Sequence, residues 1–109
     1  MAKFTVVSKM NELAEGAMKK VTVAGTDIML ANVKGKVYAV ANRCAHAGGD
    51  LSAGELEGTV VTCLRHGSQW DVTDGHNIRW TRAAGAVAKV NKIATYPVKI
   101  EGENILIEI

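Results

Sequence analysis

Two short pairs of cysteine and histidine, Cys44-Ala45-His46 and Cys63-Leu64-Arg65-His66, stand sixteen residues apart in a chain of 109. They hold both cysteines of the chain and two of its three histidines. Any fold of this sequence has to account for that constellation. A disulfide or a pair of buried thiols would leave the matching histidines unexplained. Four such donors make a metal site, and two thiolates with two neutral imidazoles suit either tetrahedral zinc or an iron-sulfur centre in which histidine replaces cysteine on one iron. The order of the ligands favours iron. Structural zinc sites of this composition usually take the cysteines as one close pair and the histidines as another, whereas each pair here offers one of each. One iron can then take Cys44 and Cys63 and the other His46 and His66, so that each loop grips both metals.

The residues around the pairs carry a resemblance. His46 is followed by Gly48-Gly49-Asp50-Leu51 and Gly54, and the second pair opens the run His66-Gly67-Ser68-Gln69-Trp70-Asp71, with Gly75 shortly after. With the C-x-H and C-x-x-H spacing, these runs resemble the two cluster loops of a small ferredoxin of the Rieske family, which carries a [2Fe-2S] cluster. The runs Gly35 to Val40 and Tyr96 to Gly102 also resemble strands of that family, so nearly the whole chain is covered. The resemblance implies an all-β fold: a Rieske-type antiparallel β-sandwich or barrel base, with a rubredoxin-like cluster-binding subdomain inserted at about residues 42–81. It also implies one cluster per chain, held by Cys44, His46, Cys63 and His66.

Composition is compatible with that architecture. A chain of this length buries roughly two-thirds of its extended surface, enough for one core, so residues 1–109 are read as a single domain. The apolar runs are far shorter than a membrane span, and Met1 to Thr5 lacks a hydrophobic secretory core. No basic patch interleaved with aromatics supports nucleic-acid binding. A cytoplasmic monomer that binds neither membrane nor nucleic acid is the expectation. Short β-branched or apolar runs at Phe4 to Val7, Val21 to Val23, Ile28 to Val33 and Val37 to Ala41 read as strands of an antiparallel meander. Ile105, Ile107 and Ile109 alternate with Leu106 and Glu108 in a last strand, entered through a turn at Glu101 to Asn104. Asn11 to Met18 reads as a short helical turn, and Pro97 belongs at a strand start or edge.

Residues near the ligands can be assigned chemistry. Gly48, Gly49 and Gly67 would let backbone amides approach the cluster sulfurs, or serve as ordinary tight turns. In Rieske relatives the hydroxyl at the position of Ser68 donates to a cluster sulfide; the alternative is a solvent-facing serine. Trp70 stands where high-potential relatives have a tyrosine hydroxyl donating to a ligating cysteine, and is read first as core packing. His76 and Trp80 are read as loop or packing residues. Gly49 and Arg65 occupy the positions at which high-potential members join the loops by a disulfide, which points to the ferredoxin branch. Residues 44 to 80 hold Arg65 and Arg79 against Asp50, Glu55, Glu57, Asp71 and Asp74. That acidic excess is either a solvated face or a selector of a basic docking patch.

Three functions are compatible with these readings. The first is a one-electron carrier that takes electrons from a reductase and delivers them to a terminal oxygenase. The second is a small Rieske subunit of a larger oxidoreductase, of the nitrite-reductase or arsenite-oxidase type. The third is a zinc-stabilised interaction module. No catalytic residue is assigned, because the histidine left over after His66, His76, cannot build the two-histidine, one-carboxylate iron site of a catalytic oxygenase.

Overall fold

The computed structural model describes residues 3–43, 50–64, 67–79 and 92–109. Its described strands form three antiparallel sheets. The first has the order β1 (Phe4–Lys9), β11 (Asn104–Glu108), β10 (Val98–Glu101). The second has the order β2 (Met18–Val23), β3 (Thr26–Val33), β4 (Lys36–Ala41), β9 (Thr95–Tyr96). The third runs β5 (Glu55–Glu57), β6 (Val60–Thr62), β7 (Gln69–Asp71), β8 (Asn77–Arg79). The all-β expectation holds, and so does the shared base, since β1 and β11 pair from Phe4 opposite Glu108 to Lys9 opposite Asn104.

The second sheet is the middle of the molecule. In an ordinary half-exposed strand apolar and polar residues alternate, but β3 carries Ile28-Met29-Leu30-Ala31 without a break and all four are buried. Successive side chains point to opposite faces. Ile28 and Leu30 accordingly join an aliphatic cluster with Leu13, Val37, Ala39, Ile105 and Ile107, between the first and second sheets. Met29 and Ala31 join a second cluster with Val40, Leu51, Val61, Cys63, Trp70, Val72 and Ile93, towards the third sheet. Burying each of the larger aliphatic side chains stabilises the fold by about 1.5–3 kcal/mol. Both hairpins of the middle sheet are tight: Val23 pairs with Thr26 and Val33 with Lys36. The turn residues Ala24-Gly25 and Lys34-Gly35 all have positive φ, the twist that suits two-residue hairpins.

Two local expectations are revised. The meander covers β2 to β4 only, because β1 leaves it to pair with β11 at the other end of the chain. The helical turn expected over Asn11 to Met18 is a 3₁₀ turn at Met10–Glu12, and Met18 already belongs to β2. Asn32 fixes the path of the chain beyond that turn: its Nδ2 donates to the Leu13 carbonyl at 2.8 Å and its Oδ1 accepts the Gly35 N–H at 2.8 Å. One buried amide thus ties the β3–β4 hairpin to the segment after the 3₁₀ turn, where helical backbone bonding is given up. Pro97 falls between β9 and β10, as a residue without an N–H should.

Candidate metal centre

The second cysteine-histidine pair rises from the short strands of the third sheet. β6 ends at Thr62, which pairs with Gln69 at the start of β7, so residues 63–68 form the connection. Its stem is closed by backbone bonds: the Cys63 N–H donates to the Ser68 carbonyl at 2.8 Å and the Gly67 N–H to the Cys63 carbonyl at 3.0 Å. Gly67 has φ +77°, in the left-handed region that a side chain would strain. Arg79, at the end of β8, donates from Nε to the Gly67 carbonyl at 3.0 Å, adding a charged donor to the same stem.

Burial distinguishes the residues of this connection. Cys63 is 1% exposed and sits in the apolar cluster of Met29, Val61 and Trp70, whereas the next residue, Leu64, is 53% exposed. Ser68 is fully buried, which removes the solvent-facing alternative. Trp70 is fully buried too and packs in the core as expected, opposite Val61 on β6.

The first pair is reached through its two flanks. Arg43 and Asp50 form an antiparallel bridge, and the Leu51 N–H donates to the Asn42 carbonyl at 2.7 Å. Cys44, His46, Gly48 and Gly49 lie between them, outside the described residues, as does His66 of the second pair. What the structure brings together is the support of both pairs: Leu51, one residue beyond the first flank, shares its buried cluster with Cys63. Gly54 makes that approach feasible, because a Cβ there would stand 2.1 Å from the Thr62 carbonyl oxygen, just before Cys63.

The acids of this region are mostly engaged within the chain. Asp50 lies 3.6 Å from Lys20 on β2. Burial alone would push the Asp71 carboxyl up, but donors from the Thr73 hydroxyl and N–H and from the Thr59 hydroxyl outweigh it, and its pKa is lowered. Asp74 is lowered chiefly by the His76 backbone N–H and then by the His76 ring, whose Nδ1 lies 2.5 Å from Oδ1. Glu55 and Glu57 on β5 have no ion pair among the described residues. Asp50 and Asp74 are exposed as well, so what sets Glu55 and Glu57 apart is that no intrachain ion pair engages them among the described residues. His76 takes the place expected of it, bridging to Lys92 in backbone pairing. Trp80 lies outside the described residues.

The side-chain bonds of Arg79 to the stem of the second pair and of Asn42 to the flank of the first are contributions that sequence reading missed. Arg79 had no signal beyond its charge. Asn42 stands two residues before a ligand candidate, a position that invites attention only once its side-chain partners are known.

The described part of the site fits an iron-sulfur centre. A thiol that must be deprotonated to bind sits within apolar walls, beside a buried hydroxyl and a left-handed glycine with no Cβ, and three further soft or imidazole donors flank it in sequence. Comparison with known proteins gives the same picture. The family model described as the Rieske [2Fe-2S] domain matches residues 3–97. The ferredoxin component of the naphthalene 1,2-dioxygenase system of Pseudomonas aeruginosa is 40% identical over 98 residues, covering 90% of this chain and 88% of its own. The ferredoxin component of biphenyl 2,3-dioxygenase from Rhodococcus jostii (strain RHA1) is 30% identical, covering 96% and 92%. Among solved structures, the ferredoxin of carbazole 1,9a-dioxygenase from Nocardioides aromaticivorans IC177 superposes with a TM-score of 0.83 at 25% identity, covering 96% of each chain.

Proposed function

The chain belongs to the Rieske [2Fe-2S] family, and on that premise we propose that it is a one-electron carrier, taking electrons from a reductase and passing them to the terminal oxygenase of an aromatic-ring dioxygenase system. The observation that carries the reading is similarity along nearly the full length to dioxygenase ferredoxin components, with the buried Cys63 at the mouth of the third sheet. The cluster supplies reversible one-electron chemistry when bound.

This chain's own residues do the rest. Cys44 and Cys63 would hold one iron as thiolates, and His46 and His66 the other as neutral imidazoles. The fold keeps Cys63 out of water, while Leu64 next to it stays exposed where a partner can approach. Ser68, two residues past His66, would donate its hydroxyl to a cluster sulfide, a role its burial supports. The stem bonds of Cys63, Gly67 and Ser68, reinforced by Arg79, hold the base of the loop and would limit rearrangement on electron transfer. Residues 1–109 act as one domain, with residues of about 42–81 as its cluster-binding part, and thiolate ligands without a disulfide suit the cytoplasm. No substrate bond is made or broken on this chain; that chemistry belongs to the oxygenase.

The test is direct. Protein purified without air should be reddish-brown, carry two irons and two sulfides per chain, and give a paramagnetic signal on reduction. Mixed with a dioxygenase reductase and its oxygenase, it should support substrate oxidation that stops when it is omitted. A colourless protein holding one zinc would overturn the reading.

A further inference from the structure

We infer that Asn42 is a positioning residue for the metal centre, clamping together the two ends of the segment that carries Cys44 and His46; the inference rests on the ligand set proposed above. Asn42 is 1% exposed. Its Nδ2 donates to Asp50 Oδ1 at 3.1 Å, and its Oδ1 accepts the Ser52 N–H at 3.0 Å. Its backbone N–H reaches the Asp27 carbonyl on β3 at 3.2 Å, and its own carbonyl accepts from Leu51. Asp50 in turn leans on Lys20 of β2. One amide thus joins the position two residues before Cys44 to positions four and six residues after His46, and the joint is anchored on the buried middle sheet.

The chemistry of the position calls for asparagine. The site needs a donor towards a carboxylate and an acceptor towards a backbone N–H, on a short side chain that brings no charge into the core. Aspartate would set a second carboxylate against Asp50. Alanine would leave the buried end of the clamp unmade and let the flanks of the ligand segment shift against each other. Ligands held loosely bind metal less tightly and vary in geometry. Asn42 would act through backbone position and touch no reacting atom.

Asn32 provides an internal control. It is equally a buried amide with one donor and one acceptor bond, but it fastens the β3–β4 hairpin to the Leu13 segment, apart from either ligand pair. Asn42→Ala and Asn32→Ala should lower the melting temperature comparably. Only Asn42→Ala should hasten iron release to a chelator, by about tenfold, the factor that 1.4 kcal/mol of lost holding gives. It alone should also change the EPR line shape and the midpoint potential. In the cluster-loaded protein the Ser52 amide should lose hydrogen-exchange protection in Asn42→Ala and keep it in Asn32→Ala.

A charge swap guards against simple misfolding. Asn42→Asp should release iron faster than wild type, and adding Asp50→Asn should slow release again by restoring a donor opposite an acceptor. Iron release and EPR signal unchanged in Asn42→Ala, equal effects from Asn32→Ala, or no recovery in the swap would each overturn the inference. Wild-type protein that binds no iron and sulfide would instead overturn the ligand reading beneath it.

Discussion

The base and the third sheet of this molecule are built on different terms. In the base, β3 alone has eight residues, β2 and β4 pair along six positions each, and the cluster between the first and second sheets is wholly aliphatic. In the third sheet every strand has three residues, and its share of the core consists of Val61, Cys63, Trp70 and Val72. Strands that short are marginal unless packed against something else. The base can be held by area removed from water, whereas the third sheet leans on Met29, Ala31 and Val40 and, if the proposed ligand set holds, on the metal bound at Cys63. Stability is concentrated away from the place where the chemistry happens.

The sharpest way to break that contrast is to remove the metal's hold. His66→Ala should abolish the visible spectrum and most of the bound iron, while hydrogen exchange in β2 to β4 remains slow and exchange in β5 to β8 becomes fast. A variant keeping the full spectrum would show that His66 is not a ligand, and uniform exchange throughout would erase the distinction between the two regions.

The reverse experiment is next in size. Leu30→Ala empties a site in the base and should cost about 2–5 kcal/mol in denaturant unfolding. The cluster's spectrum and potential should be unaffected while the protein remains folded, because Leu30 faces the aliphatic cluster rather than the one containing Cys63. A changed potential would mean that the two clusters are mechanically coupled.

A smaller effect concerns tuning. Rieske centres span roughly −150 to +300 mV. Ser68 should lift the potential, whereas Trp70 in place of a tyrosine, Gly49 and Arg65 in place of a bridging disulfide, and the acidic excess should lower it, so a value in the lower half of that range is expected. Protein-film voltammetry at neutral pH gives the value directly, and a result near the top would exclude the ferredoxin assignment. Trp70→Tyr should raise the potential if its hydroxyl reaches a cysteine sulfur, at some cost in packing because Trp70 is fully buried.

The smallest effect is acid sensitivity. Asp71 and Asp74 have lowered pKa values in the folded protein, so their contribution to stability is present above the ordinary carboxylate value of about 3.9 and disappears as pH falls through the folded value. Asp71→Asn should flatten the loss of stability in that acidic window and leave stability differences between pH 6 and 8 unchanged, as measured by urea unfolding. A variant that changes the slope near neutrality would point to another group.

The family, the strands at Ile28 to Val33 and Val37 to Ala41 and the hairpin before the last strand were legible because each rests on a local pattern: a spacing, a run, a turn. The partner of β1 was not legible. Phe4 to Val7 reads as the first strand of the meander, yet it pairs with β11, because pairing across the whole chain is decided by which apolar faces can close a common core. The alternation put Ile105, Ile107 and Ile109 on one face, yet only Ile105 and Ile107 are buried, Ile109 past the strand end is exposed, and Leu106 on the other face is buried as well, facts of packing that periodicity does not contain.

The charge pattern divides in the same way. Sequence alone establishes an acidic excess between residues 44 and 80, but a one-dimensional count cannot tell a carboxylate facing a partner from one that accepts hydrogen bonds from threonine or histidine. Ligand chemistry belongs to residue type and spacing, so the sequence by itself determined that this chain would hold a metal and which family it belongs to. Tertiary structure decided the setting of the residues around the two pairs: Cys63 within the core, Ser68 out of water, Asp50 fastened to Asn42 and Lys20. Burial and hydrogen bonding between distant residues arise only when the sheets close on one another.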